Sequence, residues 1–115
     1  LNPYQVVKDF EQALCEYTGA KYAVTTTSCT TALMLACAWC LWGKGGKSFA
    51  PIPTISIEIP KRTYVSVPMS VMNAGAGVIF RDEEWIGEYQ LDPLPVWDCA
   101  RWFRYLDLSK MTVFE

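Results

Sequence analysis

The sequence predicts an α/β fold built on a mostly parallel sheet. Two observations carry that expectation. Strand-like runs alternate with helical ones along most of the 115 residues, which is the pattern of βαβ crossovers. The first strand-like run, Tyr22-Ala23-Val24-Thr25-Thr26-Thr27, also passes through a hydroxyl-rich turn straight into a helix. A strand, a polar turn and a helix N-terminus in that order form an anion pocket, because unpaired N–H groups and the positive end of the helix dipole converge there.

The elements follow in order. Asn2-Pro3 predicts a helix start, with Asn2 as N-cap and Pro3 at the first helical position. Val6, Val7, Phe10, Ala13, Leu14 and Tyr17 then keep helical spacing, and Gly19 predicts the stop. Residues 22–27 are expected as a buried strand. The next helix, from Cys29 to about Leu41, is apolar almost all round, so it is expected to be covered on more than one side, with Gly43 ending it. Residues 54–59 alternate and are rich in β-branched side chains, predicting a strand that ends at Pro60. Ser66-Val67-Pro68 predicts a second capped helix start, and Asn73-Ala74-Gly75 its end. Residues 77–82 and 94–98 read as further strands, and the acidic, aromatic stretch 83–93 as a surface crossing. The final run Met111-Thr112-Val113-Phe114 also has strand composition. With Leu1 in place of Met and no turn or cap after that run, the chain reads as part of a longer protein, one partial α/β domain over residues 1–115.

Composition excludes several classes. Half the residues are apolar, so a sizeable core is available. The net charge is −2 and the ten Lys and Arg are scattered, whereas a nucleic-acid surface needs a concentrated basic face. The longest apolar run, residues 32–42, falls short of the ~18 residues of a membrane span. There is no histidine, which removes Ser-His and Cys-His nucleophile schemes. The five cysteines, Cys15, Cys29, Cys37, Cys40 and Cys99, include one Cys-x-x-Cys spacing, Cys37-Ala38-Trp39-Cys40, with no second such pair to complete a metal site. A zinc site is therefore not expected, and they read as reduced, mostly buried thiols of a cytoplasmic protein. Gly46-Lys47-Ser48 has the end of a P-loop, but Leu41 stands where the first glycine is required and the segment follows a helix. It is read as a surface turn.

In a parallel sheet, ligands sit beyond the carboxyl ends of the strands. That edge holds Ser28, Cys29 and Thr30 after the first strand, Tyr64 a few residues past the second, and Asp98 at the end of residues 94–98. A phosphate turn, an aromatic ring and a carboxylate suit a flat, phosphorylated heteroaromatic ligand, and pyridoxal phosphate (PLP) matches on each count. Each residue has a plain structural reading beside this one: Ser28 as a helix N-cap, Tyr64 as a half-buried core aromatic, Asp98 as the cap of the following turn.

The run Phe10-Glu11-Gln12-Ala13 with Tyr17-Thr18-Gly19-Ala20-Lys21-Tyr22-Ala23-Val24 resembles the N-terminal region of the DegT/StrS-type sugar aminotransferases, which are PLP enzymes of fold type I. The family's Ser-Gly-Thr motif falls on Ser28-Cys29-Thr30. Its ring-stacking aromatic falls on Tyr64 in Thr63-Tyr64-Val65, and its Glu-Asp-Ala-Ala-Gln motif on Trp97-Asp98-Cys99-Ala100-Arg101. The resemblance covers nearly the whole chain outside residues 43–53. It implies a three-layer α/β/α arrangement, as part of a fold-type-I large domain. It further implies phosphate binding by Ser28, Cys29 and Thr30, stacking by Tyr64, a pyridinium partner in Asp98 and a cofactor contact from Arg101.

The same resemblance implies amino transfer from an amino-acid donor to a keto sugar nucleotide in the complete enzyme, which is a homo-oligomer. Three departures stand out. Cys29 adds a side chain where the family backbone approaches phosphate. Arg101 replaces a glutamine. The family's Schiff-base lysine follows the strand after the Asp motif, whereas Lys110 precedes residues 111–114 and reads as a solvated strand-edge residue. The chain is thus expected to be inactive alone, with a non-catalytic binding or assembly module of the same fold as the alternative and a generic flavodoxin-like phosphate-binding domain as a third option.

Overall fold

The computed structural model describes residues 2–43, 55–103 and 111–114. The glycine-lysine turn at 44–48, Thr54 and Lys110 lie outside the described residues. Helix α1 spans Gln5–Thr18 and starts later than Asn2-Pro3 suggested, because Asn2 closes a turn ahead of it: its Oδ1 accepts from the Tyr4 N–H at 3.0 Å. Gly19 ends the helix as expected, at φ +79°, with its N–H donating to the Cys15 carbonyl at 2.9 Å.

Residues 22–27 correct the sequence reading. They join no sheet among the described residues, the run ends in a bend at Thr27, and Tyr22 and Val24 are 77% and 80% exposed. Alternation of β-branched residues makes a chain extended, but a strand also needs a neighbour to take up its amides. Here the Glu11 carboxylate does so instead, accepting from both the N–H and the hydroxyl of Thr25 at 2.9 Å.

Helix α2, Cys29–Ala38, continues into a wider π turn over Trp39–Gly43. There the Trp42 indole N–H reaches the Ala74 carbonyl at 2.7 Å and lies close over Gly75, whose φ of +100° closes the end of helix α3, Ser66–Asn73. Helix α2 packs on α3 on one hand and on the strands at 96–98 and 111–113 on the other, so it is covered on more than one side as its composition predicts, though not all round. Leu33, Ala36 and Cys37 are buried, whereas Leu35 and Trp39 remain exposed. The cysteine expectation also shifts: none of the five forms a disulfide, but only Cys37 and Cys99 are buried.

Strand β1 (Ser56–Pro60) pairs in parallel with β2 (Gly77–Arg81), with Ser56 opposite Gly77. Strand β4 (Val96–Asp98) pairs in parallel with β5 (Met111–Val113). Between them β3 (Tyr89–Gln90) runs antiparallel to β4, since the tight turn after Leu91 is too short for a crossover. The stretch 83–93 therefore does not simply cross the surface: Tyr89 and Leu91 are buried. A bridge between Glu58 and Asp92 joins the two sheets. Arg81 staples the same seam, its guanidinium donating to the Glu58 carbonyl at 2.7 Å, the Gln90 carbonyl at 3.0 Å and the Glu83 carboxylate at 2.6 Å. Helices α2 and α3 pack on one another, α2 also on β4 and β5, and α3 on β2. Leu33, Ile57, Ile59, Val71, Leu91 and Val96 form the centre of the core between helices and strands. The architecture is α/β, with parallel pairing in two of the three ladders among the described residues.

Candidate functional site

The start of α2 is built from hydroxyls. Ser28 is extended (φ −163°, ψ 158°) and its Oγ accepts from the Thr31 N–H at 3.1 Å, so the N-cap reading of Ser28 is realised. Thr26 donates to the Ser28 carbonyl at 2.8 Å and shapes the turn from before. Thr30 reaches the other way. Its hydroxyl donates to Ser66 Oγ at 3.0 Å, and its carbonyl accepts from Ser70 Oγ at 3.1 Å. These bonds tie the first turn of α2 to the first turn of α3 and bring the loop carrying Tyr64 beside it. Tyr64 itself is 76% exposed, so it is not a half-buried core aromatic.

Asp98 ends β4 and is 7% exposed. One carboxylate oxygen, Oδ1, accepts from the Ala100 N–H at 3.0 Å, which is the turn cap expected of an aspartate there. The other, Oδ2, accepts from the Tyr89 hydroxyl at 2.5 Å. Among the described residues no lysine or arginine forms an ion pair with it. Burial, then the hydrogen bond to Asp98, then the Asp98 charge hold the Tyr89 hydroxyl far above the ordinary tyrosine range, with a smaller push from Cys29. The N-terminal residue of α2 therefore lies within electrostatic reach of the Tyr89–Asp98 pair, and the packing of α2 on β4 brings them together.

Arg101 lies on the turn after Asp98. It is exposed and lines a cleft with Arg62, Trp85 and Trp102. Of the residues singled out by sequence, Ser28, Cys29 and Thr30 thus form the start of α2, which packs on the strand that Asp98 ends, and Tyr64 stands on the loop leading into α3.

Tyr89 was missed. Its signal was present in the alternation of Tyr89, Gln90 and Leu91 before Asp92-Pro93, followed by a strand ending at Asp98, which is a short hairpin pattern. Among the described residues no helix is long and apolar enough to cross a membrane.

Such an edge can take an anion at the helix N-terminus and a proton donor at Asp98. No solved structure matches the chain at a significant level. The sequence model of the DegT/DnrJ/EryC1/StrS aminotransferase family matches residues 1–96, and the chain belongs to that family.

Proposed function

We propose that the chain supplies the cofactor-binding part of a PLP-dependent aminotransferase acting on keto sugar nucleotides, as one partial α/β domain whose complete form is three-layered. The observation that carries the reading is Asp98: a buried carboxylate with no ion-pair partner among the described residues, at the edge where the helix α2 N-terminus opens. A buried anion is costly unless a donor completes it, and a protonated pyridine nitrogen is such a donor. PLP, when bound, supplies an electron-withdrawing ring that eases proton removal beside the transferred nitrogen.

The residues present fit that group. Asp98 would hold the proton at the pyridine nitrogen, and Tyr89 would keep the carboxylate oriented for it. The first turn of α2 with Ser28 and Thr30 would take the phosphate, Cys29 narrowing that approach, and Tyr64 would cover a ring face from the adjoining loop. No lysine within residues 1–115 is assigned to the aldehyde, so the chain by itself binds without turning over. The exposed apolar side chains of α1, Val6, Val7 and Phe10, support self-association as a homo-oligomer. Light scattering of a clean monomer at high concentration would contradict that part.

The test is titration with PLP, read by absorbance and induced circular dichroism, for the native chain and for Asp98→Ala and Asp98→Asn. Saturable binding that weakens at least tenfold in both variants is the expected result. Equal affinity in all three proteins removes Asp98 from the site, and no binding by the native chain favours a non-catalytic assembly module.

A further inference from the structure

Tyr64 and Asp98 come from distant parts of the chain, yet one side chain is tied to what carries each of them. The Trp85 indole is half-buried and packs against the core. Its Nε1–H donates to the Arg62 carbonyl at 2.9 Å, just ahead of Thr63 and Tyr64. Its ring meets Tyr89 edge-on, with centroids 4.7 Å apart and planes at 63°. The Tyr89 hydroxyl in turn donates to Asp98 Oδ2 at 2.5 Å. A continuous path of contacts therefore runs from Asp98 through Tyr89 and Trp85 to the backbone of the Tyr64 loop.

That loop has other ties, of a looser kind. The Lys61 N–H donates to the Arg81 carbonyl at 2.9 Å, where the pairing of β1 with β2 runs out. Lys61 then pairs with Asp82 and Arg62 with Glu84, and all four side chains are at least 45% exposed. Exposed ion pairs between long side chains are screened by salt and leave their backbone little constrained. The indole bond differs, because a rigid, packed ring with two torsions fixes the peptide that it grips. On the far side, the Tyr64 carbonyl accepts from the Val67 N–H at 3.0 Å as α3 begins. The Tyr64 backbone is thus held between the Trp85 indole and the start of α3, while its ring stays 76% exposed.

We infer that Trp85 is a positioning residue of the cofactor site. Its N–H fixes the backbone that presents Tyr64, and its ring backs the tyrosine that orients Asp98. The inference rests on the reading of Tyr64 and Asp98 as PLP contacts. A flat ligand covered on one face and gripped at its nitrogen needs those two contacts in a constant relation, which calls for a packed side chain behind both.

The test separates the two halves of the indole. Trp85→Phe keeps an aromatic ring toward Tyr89 and removes the donor to Arg62. PLP affinity, read by absorbance and induced circular dichroism, should weaken about fivefold in Trp85→Phe. In a Tyr64→Ala background the same substitution should change affinity less than about twofold, because the loop no longer carries a ring to place. A purely structural role would weaken both backgrounds alike. A second readout needs no cofactor. Trypsin attacks the Arg62 carbonyl when it cuts before Thr63, so freeing that carbonyl in Trp85→Phe should speed this cut about fivefold, with the exposed Lys21 site as an unchanged control. Equal weakening in both backgrounds, unmoved PLP affinity in Trp85→Phe, or cleavage after Arg62 at the native rate each overturns the role of Trp85 and leaves the cofactor reading standing. A native chain that binds no PLP overturns the cofactor reading, and the role of Trp85 with it.

Discussion

Removing one hydroxyl should reveal how the Asp98 carboxylate is tolerated inside the fold. Tyr89→Phe keeps the ring, and with it the edge contact to Trp85, but deletes the 2.5 Å bond to Asp98 Oδ2. The carboxylate is then left with the Ala100 N–H on its other oxygen. A hydrogen bond to a charged group contributes about 1.5–3 kcal/mol, and burial leaves little water to replace it. With a urea slope of about 1–3 kcal/mol per molar, the midpoint should fall by roughly 1 M. In an Asp98→Asn background the same change removes a neutral hydrogen bond and should cost about 1 kcal/mol or less, so the double-mutant cycle should show a coupling of about 1 kcal/mol.

The pH dependence gives a second reading of the same residue. Tyr89 is held neutral in the folded state well above the pH of about 10 at which an unfolded tyrosine ionises. Its contribution is thus complete below about pH 10 and is lost as the pH rises beyond it, when the unfolded chain sheds the proton first. Tyr89→Phe should lose less stability than the native chain between pH 9 and about pH 11. Urea midpoints that match in both backgrounds, with the same alkaline decline, would refute the buried Tyr89–Asp98 pair.

Gly87→Ala should destabilise by about 1–2 kcal/mol, since the residue sits at φ +76° and its Cβ would strike Trp102; thermal melts check this. Arg81→Lys keeps the charge but cannot reach the Glu58 carbonyl, the Gln90 carbonyl and Glu83 together, so a loss of about 1–3 kcal/mol in urea unfolding is expected. Burial, with Cys40 adding to it, pushes the Cys37 thiol up to about 12, so at pH 8 it should react with iodoacetamide far more slowly than the half-buried Cys15. Mass-spectrometric mapping of equal labelling at the two would contradict the core position of Cys37.

What was legible in the sequence was local. Gly19 and Gly75 mark their helix ends because positive φ is a property of single residues, and the strands at 56–60 and 77–81 show in β-branched alternation. Pairing is not local. Residues 22–27 have the composition of a buried strand but pair with no neighbour among the described residues, because a strand is completed by a neighbour that its own residues do not specify. The reverse error at 83–93 has the same origin. Tyr89 and Leu91 sit among acidic residues, and only the return of the chain to Asp98 makes a hairpin that buries them.

The site divides along the same line. Ser28 and Thr30 were readable because a hydroxyl before an apolar helix has a short-range task, and the structure adds a long-range one in the bond from Thr30 to Ser66, 36 residues on. Asp98 was readable as a strand-end carboxylate, but its burial depends on Tyr89. Arg101, three residues past Asp98, is grouped with it by the family's motif on Trp97-Asp98-Cys99-Ala100-Arg101. The turn at 99–102 carries it out to the cleft with Trp85 and Trp102 instead. The two placements have one mechanical consequence: Tyr89 touches Asp98 with its hydroxyl and Trp85 with its ring. Any ligand that shifts the Trp85 indole must act on the ring that sets the Asp98 hydrogen bond. Binding beside Trp85 and binding at the Asp98 edge should therefore be coupled, and by linkage the coupling must be equal in both directions.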